Sequence, residues 1–195
     1  MRGAVVFLLF STLPAFAADT NSSGTTVILD FEGQHSSRAI QIMEREAERI
    51  LKNSDLHLGW VLSEEAATKS FSDLVVLKFK GNCLLPPGSR APEELGSLAF
   101  TYKTDGVVQP FSKVSCDKIG AFLVTGLKSG AYADPEKVMG VALGRVVAHE
   151  LVHMLLGSGE HAESGVFKPG LTVEQLVAGD LQLDENDVDR LRAGH

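Results

Sequence analysis

The feature that most constrains this chain is a single uninterrupted apolar helix signalled between Asp134-Pro135 and Gly157. Asp is a good helix N-cap, Pro suits the first helical position, and Gly is the usual stop, so the spacing predicts a helix to about Leu156. Within it lies His149-Glu150-Leu151-Val152-His153. Residues four apart share a helical face, so the two imidazoles can hold one ion while Glu150, offset by about 100°, reaches a water beside it. With 6 His in 195 residues, a chance match to this pattern is expected about 0.01 times. The surrounding apolar residues, Val146 to Ala148 and Leu151 to Leu156, make two unpartnered imidazoles costly to bury, and a metal offsets that cost.

Before this helix the signals alternate between strand and helix. Strands are predicted over 25–31, 57–62, 74–79, 97–102 and 109–114, and an amphipathic helix capped by Ser36 or Ser37 over about 38–52. Turn signals fall at Gly81-Asn82, Pro86-Pro87-Gly88 and Asp105-Gly106. After the long helix, Thr172 with Gln175 reads as a capping box, and a short helix is expected after Asp184. The fold class is α+β with an α/β-like N-terminal part, in one domain over 18–195.

Residues 1–17 carry Arg2, the apolar run Ala4 to Phe10, Pro14 and the small-x-small triplet Ala15-Phe16-Ala17, the pattern of a secretory signal peptide. The run is about half the roughly 20 residues needed to span a bilayer, so no membrane anchor is expected after cleavage. The expected location is secreted or periplasmic. In an oxidising compartment Cys83 and Cys116, the only two cysteines, are expected to form a disulfide. The net charge of −7 and the absence of a basic run argue against nucleic acid as a partner.

A catalytic zinc site needs a third protein ligand. His161 is the nearest candidate, Glu160 and Glu163 flank it, and Glu174 lies further on. The string His149 to His161 reads H-E-x-x-H-x-x-x-G-x-x-x-H and resembles the metzincin clan of zinc metallopeptidases. The resemblance implies zinc ligands His149, His153 and His161 with Glu150 as general base, and a peptide or protein substrate. It also implies a twisted mixed sheet of about five strands, a backing helix, an active-site helix and a C-terminal helix.

Relative to the usual motif, Gly157 and His161 come one and two residues late. The spacing looks more like a group of small exported bacterial metzincin-like proteins in which a Ser/Thr-Gly-x-Met segment follows. Here that segment is Ser164-Gly165-Val166-Phe167, with Phe at the place of the Met that forms the floor under the zinc. The leading expectation is an exported zinc metallopeptidase; the alternative is a non-catalytic zinc-binding domain with a degenerate site. The strand near Leu98 to Tyr102, if at a sheet edge, would hold an extended peptide. His35, His57 and His195 are expected at the surface and Trp60 in the core; Tyr102 and Tyr132, the only tyrosines, read first as half-buried packing residues, with a place beside an oxyanion as the alternative. The acidic residues Asp180 to Asp189 lack the pattern of an EF-hand loop and read as a solvated helix face.

Overall fold

The computed structural model describes residues 24–85, 96–126 and 133–194. The proposed signal peptide, the Pro86-Pro87-Gly88 turn, Tyr132 and His195 lie outside them.

Five strands form one sheet in the order β2-β1-β3-β5-β4. They are β1 (Thr25–Phe31), β2 (Leu58–Leu62), β3 (Leu74–Lys80), β4 (Ala99–Thr104) and β5 (Val107–Ser115). All neighbours are parallel except β4, which runs antiparallel to β5 at the sheet's edge. Burial alternates along β3, with Val75, Leu77 and Phe79 inside and Lys78 exposed, and Ser112 and Val114 continue the inner face on β5. A sheet with one solvated face reads this way. On that face Lys78 pairs with Asp30 and Glu32 of the neighbouring strand end.

The helices are α1 (Ser37–Leu51), the single turns α2 (Ser63–Ala66) and α5 (Val173–Val177), α3 (Cys116–Gly126), α4 (Pro135–Leu156) and α6 (Glu185–Ala193). Their caps follow the sequence signals. Ser36 accepts from the Ala39 N–H, Asp134 from Lys137, Asp184 from Asn186, and both halves of the Thr172/Gln175 capping box are present. Gly157 ends α4 with φ +58°, a left-handed conformation that glycine adopts without a Cβ penalty.

α4 is long and apolar enough to cross a membrane by length and composition, yet 72% of its most apolar window is buried inside the protein. It is the core helix, and α1 packs along it at close range. A Cβ on Gly140 would lie 2.6 Å from the Ala39 carbonyl oxygen, and one on Gly144 2.7 Å from that of Met43. Arg145, buried with 3% of its surface exposed, donates to Glu46 of α1 and to the carbonyls of Gln175, Ala178 and Gly179. One guanidinium thus ties α4 to α1 and to the segment around α5.

Two expectations need correction. Residues 116–126 form a helix that was not anticipated, because strand β5 passes directly into α3 with no turn residue between them. The expected Cys83–Cys116 disulfide is present and joins a residue just after β3 to the first residue of α3, directly after β5. Trp60 is half-buried near the β2 edge, its Nε1 donating to Glu48 at 2.7 Å, because β2 has a neighbour on one side only.

Candidate metal centre

α4 sets His149 and His153 one turn apart on the side turned to the β4–β5 hairpin. Gly157 then reverses the chain, and the Ser158 N–H caps the helix by donating to the His153 carbonyl at 3.2 Å. The following loop is pinned at three points. Ala162 donates to the Phe167 carbonyl, Val166 to Gln182, and the Ser164 hydroxyl to Asp184. Gly165 takes φ +72° within it, where a Cβ would come 2.6 Å from the Gln182 oxygen. This loop returns His161 to the helix.

The three imidazoles converge. The Nε2 of His153 lies 3.2 Å from Nε2 of His149 and 3.2 Å from Nε2 of His161. A ligand nitrogen from each lies within 4.8 Å of the other two. Nitrogens at the corners of a zinc tetrahedron with bonds of about 2.0–2.1 Å stand roughly 3.3–3.4 Å apart, so the separations at His153 fit that ion.

The remaining ring nitrogens support the same arrangement. His149 Nδ1 is 2.9 Å from the Val166 carbonyl oxygen, and His153 Nδ1 is 2.8 Å from that of Ser158. A carbonyl only accepts, so each ring donates from Nδ1 and turns an Nε2 lone pair towards its neighbour. Two lone pairs facing at this distance repel unless a cation is shared between them. Burial pushes both imidazoles below the ordinary histidine range, with the carbonyl bonds opposing it, which favours the neutral form that metals bind.

Phe167 is fully buried under this cluster, its ring centroid 5.4, 4.7 and 5.6 Å from those of His149, His153 and His161. The Phe at the Met position therefore still makes an apolar floor. Among the described residues Glu150, 4% exposed, takes hydrogen bonds at one oxygen only, Oε2, from the hydroxyls of Thr101 at 2.7 Å and Ser112 at 2.8 Å. Burial raises its carboxyl above the usual range, and these two hydroxyls pull in the other direction.

His149 and Glu150 separate two hollows. One of about 250 Å³ is lined by Leu98, Phe122, Val146, Leu171 and Leu176, and one of about 260 Å³ by Phe100, Thr101, Lys103, Ser158 and Gly159. Strand β4 runs along both.

His161 joins the cluster. Glu160, Glu163 and Glu174 are exposed and do not. His35 stacks on Phe31 at 4.2 Å and His57 is exposed before β2, both away from the centre. Tyr102 is exposed on β4 and bonds nothing in the centre. In the acidic segment, Asp184 caps α6, and the expected solvated face holds only in part: Asp187 is buried with 2% of its surface exposed, and one of its oxygens pairs with Arg190. Thr101 and Ser112 were missed by sequence reasoning.

No family model matches the chain, and no curated protein matches it. Among solved structures, the crystal structure of archaemetzincin from Methanopyrus kandleri is similar, with a TM-score of 0.55 at 13% identity, covering 91% of this chain and 98% of that one. Five strands in a mixed sheet, the core helix and the helices after it make this an archaemetzincin-like fold, as the metzincin resemblance led one to expect.

Proposed function

We propose that the protein is an exported zinc-dependent metallopeptidase. The observation that carries the reading is the convergence of three imidazole nitrogens, two of the contacts at 3.2 Å, beside a buried carboxylate in a cleft edged by an open strand.

His149, His153 and His161 would hold the zinc, which when bound supplies Lewis acidity that acidifies a water and polarises a peptide carbonyl. Glu150 is the general base: its Oε1, bonded to nothing among the described residues, takes the proton of the attacking water and returns it to the departing amine. Phe167 and the aliphatic side chains of α4 exclude bulk water from beneath the imidazoles. The outer edge of β4 offers ladder hydrogen bonds to an extended peptide lying past Glu150. The disulfide supports an oxidising compartment, in keeping with the signal-like residues 1–17.

The test is the Glu150→Ala variant. Zinc content should remain near one per chain while peptide cleavage falls by at least about 10²-fold. Zinc-loaded wild type that cuts no peptide or unfolded protein would favour a non-catalytic zinc-binding domain. Equal cleavage by Glu150→Ala would remove the general-base role.

A further inference from the structure

A buried carboxylate is ordinarily paired with a cation. Glu150 has no Lys or Arg partner among the described residues, and its hydrogen bonds come from Thr101 and Ser112, both at Oε2. The two hydroxyls are also 2.8 Å from each other, and Ser112 Oγ is 3.1 Å from the Phe100 carbonyl oxygen. They face one another because Thr101 is the register partner of Ser112 across the hairpin.

That pairing depends on an irregularity. At the turn end Thr104 pairs with Val107 and Lys103 with Val108, which by strict continuation would set Thr101 opposite Pro110. The ladder instead shifts by two residues between Lys103 and Thr101, in the stretch that contains Pro110, a residue with no N–H to give to a ladder. The shift brings a second hydroxyl to the inner face at the height of Glu150.

We propose that Thr101 and Ser112 are positioning residues for the hydrolytic reaction, fixing Glu150 through Oε2 so that Oε1 is presented to the cleft. The proposal rests on the peptidase reading given above. Two bonds to one oxygen restrict the terminal torsion of a side chain that otherwise has three rotatable bonds. Hydroxyls suit the role, since a fixed cation would hold the carboxylate equally well but weaken it as a base.

The experiment compares Thr101→Val, Ser112→Ala, their double variant and Thr101→Ser, all zinc-loaded, on a fluorogenic peptide cut by the wild type. Thr101→Val keeps the shape of the strand residue and removes the hydroxyl. It should lower kcat about 10-fold with KM and zinc content held within about twofold, as expected when a catalytic group is misplaced and binding is not. The double variant should lose less than the product of the single losses, because both hydroxyls serve one oxygen. Thr101→Ser should restore most of the activity.

A second readout is independent of turnover. With glutamate labelled at its ¹³C side-chain carboxyl, the Glu150 resonance, assigned by its loss in Glu150→Gln, should move in Thr101→Val and return in Thr101→Ser. Unchanged kcat in both single variants, loss of zinc in step with activity, or an unmoved resonance would each overturn the proposal. A wild type that cuts nothing would overturn the peptidase reading and the catalytic meaning of the pair with it, while the resonance would still report whether the hydroxyls hold the carboxylate.

Discussion

Between Pro135 and Val147 the helix α4 presents glycines and a buried guanidinium to α1, whereas between Ala148 and Leu156 it presents two imidazoles and a carboxylate to the β4–β5 hairpin and the loop after Gly157. In the first stretch the buried charges are met within the protein. Arg145 has four oxygen partners, and Glu46 is shared between Arg145 and Arg49. In the second stretch the Nδ1 atoms are satisfied by carbonyls, while the Nε2 atoms point acceptors at one another. One half of the helix gains its stability from folding; the other, on the proposed reading, would gain it from a cation. The two should therefore separate by mutation.

The largest effect is expected at His153. Its replacement by Ala should weaken zinc binding by more than about 10²-fold, the upper range for losing an outer-shell partner alone. Without metal, the same variant should lose no more than about 1–3 kcal/mol, since one neutral hydrogen bond to Ser158 and the ring's contact with Phe167 are lost. Metal titration and urea unfolding of metal-free protein measure the two quantities. A large loss of metal-free stability would break the proposed separation.

Arg145→Met is the converse. Breaking one side of a buried ion pair costs about 3–5 kcal/mol, and because Arg49 still bonds Glu46 the low end is expected. For a chain of this size that lowers the melting temperature by roughly 6–12 °C. Zinc affinity should stay within about threefold, as expected for sites that share no partner. Calorimetry with and without zinc checks this, and a parallel fall in affinity would show that the halves are coupled.

The smallest effect lies at the start of α4 and is one of pH. Hydrogen bonding to the Arg38 guanidinium, aided by the Lys137 N–H, lowers the exposed Asp134 carboxyl from 3.8 to about 2. A folded-state value below the unfolded one means that the contribution is complete above the unfolded value and is lost as pH falls through the folded value. Asp134→Asn keeps a capping oxygen without the charge, so its urea midpoint should lose part of the wild type's decline between about pH 4 and 2. Superimposable profiles would show that the ion pair adds nothing measurable.

Much of the candidate metal centre could be read from sequence because a helix fixes the meaning of spacing: His149, His153 and the stop at Gly157 are all local statements about α4. His161 needed the resemblance as well, since a loop has no period. α3 was missed although Cys116, Ile119, Gly120 and Leu123 are its buried residues, at the offsets of a helical stripe. Two glycines, the β-branched Val124 and Thr125, and a preceding strand that runs straight into it concealed it. Thr101 and Ser112 are a different kind of omission. Each is an ordinary strand residue, and only the shifted register around Pro110 makes them neighbours of Glu150. Counting back from the Asp105-Gly106 turn, whose residues have φ of +51° and +81°, leads to the wrong pairing.

The same irregularity bears on how the molecule lives among its own copies. A sheet that ends in an antiparallel strand whose outer edge pairs with no other described strand, flanked by exposed Phe100, Tyr102 and Phe111, is an invitation to self-association at high concentration. The break after Thr101 limits the straight run of β4, and the exposed Lys103 on the far side of the break adds a charge of the kind that blunts strand edges. An extended peptide needs only a few residues of regular edge to dock, whereas two copies zipping together need the whole strand. Straightening the hairpin would therefore threaten solubility as well as the carboxylate's cradle.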